Sequence, residues 1–452
     1  MRLKGHAFKM FGILALAVTP IGVLPGPAAH AAEIVLEPPT VENPIALWQF
    51  VTGSLVFLMP AGLAMLATGL TRAKNASHTA FMTFFGCSIA IFGFWIGGFA
   101  VMRGGSGFFL RHLGNDPGKY GPFFWKAALL CVTASIPVGA LAERWSLKNF
   151  YFCILFMSFL LFPLFALWAW HDGWLARLGY VDFAGSGVVH GVGGLFALAG
   201  ATALGPRIGR YSKGGALIPI TAHNIPLSLL GCFLLAIGWL GFNAGRGPES
   251  ALSIATVTLL AGAGGAIVAA TYMIMTTRRP DPTITLNGLL AGLVASSASA
   301  AYISPTAAVI TGAIAGLLIC VSVRFFDSRR IDDPVGAISV HGVGGLWGVL
   351  AVGIFANSDS VKGCLHGDWR QLGVQALGCA VLLLWAGGFS WIFLKIAEKF
   401  IPMRVTPEIE LEGLDIPETG LVGYPDFQLV SPHTSGFSGG PMRRTPRGDN
   451  KT

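Results

Sequence analysis

Two seven-residue segments of this chain are identical: Val189-His190-Gly191-Val192-Gly193-Gly194-Leu195 recurs as Val340-His341-Gly342-Val343-Gly344-Gly345-Leu346. Each carries one imidazole in an otherwise apolar, glycine-rich setting. Imidazole has two distinct ring nitrogens and exchanges protons near neutral pH. A facing pair of such rings could pass a proton, or stabilise a small polar molecule stripped of water. It would suit a permanently hydrated ion poorly. Burial of both rings favours their neutral state. The match extends backward, because Asp182 and Asp333 stand at the same offset before His190 and His341. A carboxylate there can cap free backbone N–H groups at a helix start, and Pro334 suits a first helical position. A metal or haem centre needs further ligands at matching positions, and the sequence offers none, so no cofactor is expected. No nucleophile with a base and an orienting acid is evident either, which argues against an enzyme.

The elements that must hold these residues are apolar. The chain has 452 residues, 53% of them hydrophobic and only 12% charged, with a mean hydropathy of +0.66. A soluble protein carries about a quarter charged residues. A bilayer crossing takes roughly 20 apolar residues. Runs of that kind cover 46–70, 79–102, 122–142, 149–170, 184–204, 222–244, 250–275, 284–302, 305–325, 335–356 and 371–400. The 61 glycines fit a membrane interior, where small residues let helix backbones approach closely. The net charge of +8 does not indicate nucleic-acid binding, since the basic residues lie in short loops between apolar runs. The seven cysteines are scattered without metal spacing and are read as packing residues.

The two identical segments fall on the fifth and tenth runs, so the copies cross the membrane in opposite directions. The expected fold is an all-α polytopic membrane protein with eleven transmembrane helices. Spans 1–5 and 6–10 form an inverted repeat, and a long eleventh helix follows. Eight residues at about 1.5 Å each put both histidines about 12 Å below their caps, near the midplane. Glycine at one, three and four positions beyond each histidine should leave a smooth surface for close packing.

Residues 1–31 read as a signal peptide. Arg2, Lys4 and Lys9 precede the apolar stretch from Met10 to Leu24, and Ala29-His30-Ala31 gives a cleavage site. Pro20, Pro25 and Pro27 argue against an uncleaved twelfth helix. The mature N-terminus is then outside, and alternate loops should be cytoplasmic and basic. They hold Arg72 and Lys74, Arg144 and Lys148, Arg207, Arg210 and Lys213, Arg278 and Arg279, and Arg324, Arg329 and Arg330. Residues 32–400 form the membrane domain, 401–430 a cytoplasmic tail, and 431–452 a Ser-, Gly-, Pro- and Arg-rich end expected to be disordered.

On these residues the chain resembles the ammonium transporter family, the Amt/Mep/Rh superfamily, in its bacterial Amt type. The segment from Asp182 to His190 is similar to the family's fifth-helix motif. Ile331-Asp332-Asp333-Pro334-Val335 with His341-Gly342-Val343 is similar to its tenth-helix motif. Gly69-Leu70-Thr71-Arg72-Ala73-Lys74-Asn75, Gly139-Ala140-Leu141-Ala142-Glu143-Arg144 and Gly241-Phe242-Asn243-Ala244-Gly245 resemble further signatures. The resemblance implies a homotrimer with a narrow pore in each subunit, taking ammonium or ammonia into the cell across the bacterial inner membrane. It implies Trp170 and Trp125 at the outer recruitment vestibule, Phe242 at the constriction, His190 and His341 in the pore, and Asp182 as a structural carboxylate. Two positions depart from the pattern. Leu129 stands where a second constriction aromatic is usual, which implies a wider or less polarising gate. Arg246 stands where many members have a serine, and its charge disfavours ammonium there unless it turns to solvent or pairs with Glu249. The tail from Arg404 to Gly420 resembles the family's regulatory tail, which implies subunit coupling and a partner of the PII nitrogen-regulator class. The competing reading is an ammonium sensor with little or no transport. A proton-driven transporter of another kind would need ionisable groups forming a continuous relay, and intramembrane carboxylates are almost absent.

Overall fold

A chain inside hydrocarbon must satisfy its backbone hydrogen bonds internally, which for single apolar runs means helices. The computed structural model describes residues 44–425 except Ser106, Asn115, Asp116, His171 and Arg246. The expected signal peptide, the 431–452 end and Arg246 lie outside the described residues. No β-strand occurs among the described residues. Ten of their helices are long and apolar enough to cross a membrane. They include α1 (Pro44–Leu70), α2 (Ala73–Met102) and α3 (Gly118–Leu141). Next comes α4, running consecutively through Leu147–Phe156, Met157–Leu161 and Phe162–Trp170. Then follow α5 (Ser186–Leu204), α6 (Ile225–Ala244) and α7 (Ala251–Thr277). Between α7 and α9 (Pro305–Ser328) lies α8 (Pro282–Ser296), an apolar helix of 15 residues. The last two are α10 (Ile338–Phe355) and α11 (Trp369–Ala397). The protein is an all-helical polytopic membrane protein.

Its outer surface bears this out. Phe84, Phe233, Ile267 and Leu384 each expose more than half of their area, which an aqueous surface would tolerate only as isolated patches. Inside, small residues set the packing. A Cβ on Gly312 would fall 1.8 Å from the Ala261 carbonyl oxygen, and one on Gly316 2.2 Å from that of Gly265. Helices α7 and α9 therefore touch backbone to backbone. The expected span 284–302 is longer than the helix found there, because the chain leaves α8 at Ser296 and turns through residues 297–303.

The loops α1–α2, α3–α4, α5–α6 and α9–α10 meet at one end in a buried charge network. Arg207 donates to Asp332 at 2.7 Å and to Glu143 at 3.0 Å, and Arg72 pairs with Glu143. Arg144 is fully buried and donates to the carbonyls of Gly205 and Asp332. Burial pulls its guanidinium down to about 10. Burial alone would push the Asp332 carboxyl up, but the bonds from Arg207 and the charge of Arg144 hold it well below the usual carboxylate range. The segment after α11 is stitched onto the same loops. Glu410 accepts from the Ile208 amide and from Arg404, Asp415 accepts from the His78 amide, and Glu418 from that of Leu147. Lys74 donates to the Glu410 and Leu411 carbonyls. Up to Pro425 the tail is a docked element.

Candidate functional site

The two repeat segments start their helices by the same device, and it differs from the expected one. Sequence places the helix starts at Asp182 and Asp333, with Pro334 as a first helical residue. Regular helix instead begins at Ser186 and Ile338. The reason is glycine: Gly185 has φ +126° and Gly336 has φ +80°, a region that side chains with a Cβ disfavour. The chain turns there before it can wind. Each aspartate reaches across that turn. Asp182 accepts from the amides of Gly187 at 2.9 Å and Val188 at 2.8 Å. Asp333 accepts from Gly336 at 3.0 Å and Ile338 at 2.7 Å. Both helices open with a wide π-type turn over Ser186–Gly191 and Ile338–Val343. Each histidine thus sits in the first turn of its helix rather than two turns in.

Glycine also explains how the helices meet. A Cβ on Gly194 would lie 2.1 Å from the Gly342 nitrogen, and one on Gly345 2.5 Å from the Ser186 oxygen. With no side chain at the crossing, the histidine rings can touch. Nδ1 of His341 stands 3.2 Å from Nδ1 of His190. One nitrogen must donate and the other accept, so the two rings hold opposite tautomers at that atom. His190 is fully buried, and its Nε2 has no hydrogen-bond partner among the described residues. Its ring stacks at 4.9 Å on Trp239 and lies 5.0 Å from Phe242, tilted by 30°.

On the far side of His341 is a small cavity of about 10 Å³, lined by Ser135, Ile136, Gly139, Asn287, Val335 and His341 among others. That volume takes about one water-sized molecule. Asn287 and Val335 also line a wide cavity of about 710 Å³ beside Asp333 and Gly336. The small cavity at His341 thus shares two lining residues with the wide one at the end where the charged loops meet.

At the other end of α3, Trp125 is buried with its indole N–H unpartnered among the described residues. Its ring lies on Gly245, where a Cβ would approach Nε1 to 2.3 Å. Trp170 donates its indole N–H to the Asp182 carbonyl at 2.6 Å, so its ring is fixed to the turn that caps α5. Leu129 follows Trp125 by one helical turn and is fully buried. Among the described residues, no three His, Cys, Asp or Glu groups stand close enough to hold a metal ion.

Sequence reasoning missed three residues. Trp239 precedes Phe242 by three positions, the same helix face, and that spacing could have revealed it. Lys126, a charge inside an apolar run, lays its ammonium over Trp170 with Nζ 3.5 Å from the ring centroid. Ser186 donates to the Val294 carbonyl at 2.6 Å and accepts from the Ala298 amide. Its counterpart in the second copy is Ala337, so the repeat gave no signal.

Comparison with known proteins agrees with this architecture. A family profile described as the Ammonium Transporter Family matches residues 47–424. Ammonium transporter Amt2 of Archaeoglobus fulgidus is 36% identical over 453 aligned positions, covering 92% of this chain and 96% of that protein. A solved structure described as a sensor Amt protein superposes with a TM-score of 0.80 at 36% identity, covering 83% of this chain and 98% of that one. Mep2 of Candida albicans superposes with a TM-score of 0.74 at 25% identity, covering 80% and 86%. With a profile match that runs from the first crossing into the tail and a relative covered almost end to end, this chain belongs to the ammonium transporter family.

Proposed function

We propose that this protein carries ammonium or ammonia across the membrane, by a path through the single chain that passes the constriction at Phe242 and then the His190–His341 pair. The observation that carries the reading is the pair itself. Two imidazoles in hydrogen-bond contact, beside a cavity for about one small molecule, form an apolar passage with polar atoms at its centre. A hydrated metal ion would not fit, whereas a molecule the size of water could exchange hydrogen bonds with each ring in turn. Trp125 and Trp170 form the recruiting mouth, where the faces of the rings attract a cation. Phe242 covers His190, and Leu129 leaves the constriction with one aromatic ring instead of two. Asp182 and Asp333 hold the two helix starts.

The same reading includes eleven crossings, with α8 as the short one, and an inverted repeat of α1–α5 and α6–α10. The shared Asp–Gly–His geometry of α5 and α10 supports it. Residues 1–31 act as a signal peptide, leaving the mature N-terminus outside and the docked tail in the cytoplasm of a bacterial inner membrane. The charged loops that gather at the tail end support that sidedness. The protein assembles as a homotrimer, and a PII-type regulator reads the tail.

Liposomes holding purified protein test this by the current and internal pH change that an ammonium jump produces. A saturable response of either kind supports transport. A second reading, an ammonium sensor with little transport, is favoured by the likeness to the structure described as a sensor Amt protein. It predicts saturable ammonium binding with neither current nor pH response.

A further inference from the structure

We propose that Lys126 is a tethered cation that occupies the aromatic mouth and competes there with the incoming ammonium ion. The proposal rests on the reading of Trp125 and Trp170 as the recruiting site. Lys126 follows Trp125 directly on α3, near its outer end. Its Nζ stands 3.5 Å from the centroid of the Trp170 ring and 4.9 Å from that of Trp125. An ammonium group attracted to an aromatic face sits within about 6 Å of the centroid, so the lysine head satisfies both rings at once. The head is also a chemical copy of the substrate: a primary alkylammonium with three N–H donors, on a four-carbon stem long enough to swing away.

Both rings are held in position to receive it. Trp170 is fixed by its bond to the Asp182 carbonyl, and the Trp125 indole packs so close to Gly245 that a Cβ there would come within 2.3 Å of its Nε1. Lys126 itself is only partly buried and lines a cleft of about 360 Å³ with Phe99, Met102, Arg103 and Pro122. That cleft gives the displaced head a place to go. A free ammonium ion must therefore take the Trp170 face from Lys126, and the apparent affinity of the mouth is lowered by the lysine's occupancy. Small cations that bind an aromatic face more strongly than the tethered head would be selected over weaker ones.

The test compares wild type, Lys126→Gln and Lys126→Arg by methylammonium titration of tryptophan fluorescence, alongside the half-saturating ammonium concentration in liposomes. Gln keeps a polar end on a stem one atom shorter and removes the charge. Lys126→Gln should bind methylammonium about tenfold more tightly, the scale of one cation–aromatic contact, and should lower the half-saturating concentration without reducing the maximal rate. Lys126→Arg should stay near wild type. Unchanged or weaker binding by the Gln variant, with its elution profile intact, overturns the proposal. If no variant moves ammonium, the transport reading fails, and the fluorescence titration still decides the role of Lys126. Trp170→Ala identifies the site, since it should abolish the difference between Lys and Gln at position 126. A difference that survives it also overturns the proposal.

Discussion

Gly194 and Gly342 meet backbone to backbone, with room between them for a hydrogen atom and nothing larger. A Cβ on Gly194 would come within 2.1 Å of the Gly342 nitrogen. This contact sits four residues beyond His190 and one beyond His341, so it sets the spacing of the two rings.

Gly194→Ala should therefore force α5 and α10 apart. Overpacking of this kind costs about 1–3 kcal/mol or more, and the variant should melt well below wild type in detergent and lose its ammonium response. Gly344→Ala is the control. A Cβ there would find its nearest neighbour, Val294, at 3.6 Å, which is ordinary contact. Its melting temperature should match or exceed wild type, since Ala replaces Gly inside a helix. Equal loss in both variants would mean that the crossing is not the sensitive point.

Asp332 offers a pH prediction with a definite sign. Its carboxyl is held below the usual range, chiefly by Arg207 working against burial. The stability it contributes is present above the unfolded value of about 4 and is lost as pH falls below that. Asp332→Asn leaves Arg207 less compensated in a buried site and should cost about 3 kcal/mol. The gap in melting temperature between wild type and variant should be constant from about pH 8 to 5 and should shrink below about pH 4. A gap that instead closes near neutral pH would contradict this assignment.

The docked tail makes its own prediction. Glu410 is buried and gathers the Ile208 amide, Arg404 and, through its carbonyl, Lys74. Glu410→Ala should cost about 1–3 kcal/mol locally and release the segment from position 404 onward. Limited proteolysis should then cut in 404–425 many times faster than in wild type, while the membrane core stays intact. Unchanged cleavage would mean the other contacts, such as Asp415 with His78, hold the tail alone.

Much of this was legible in the residues. The histidine pair announced itself as a repeated heptapeptide, and the glycines beyond each histidine foretold a close crossing. Structure separates those glycines more finely than sequence can. Gly194 touches backbone whereas a Cβ on Gly344 would make only ordinary contact with Val294 and Ala291, although both lie in the same seven-letter word. The helix starts were misread because capping logic locates an aspartate and says nothing about the left-handed turn at Gly185 and Gly336. Lys126 gave no signal beyond a charge inside an apolar run, because nothing in sequence brings position 170 beside it. The docking of the tail was equally hidden, since the Lys74–Glu410 bond joins residues 336 positions apart.

The central claim is that ammonium or ammonia passes the imidazole pair, and one measurement bears on it most directly. Ammonium-triggered current and internal pH are recorded in liposomes of wild type, His190→Ala and His341→Ala, each checked for intact assembly. The account predicts a saturable response in wild type that is lost, or loses its preference for ammonium over other small cations, in both variants. A wild-type response that persists with unchanged selectivity in either variant would contradict it.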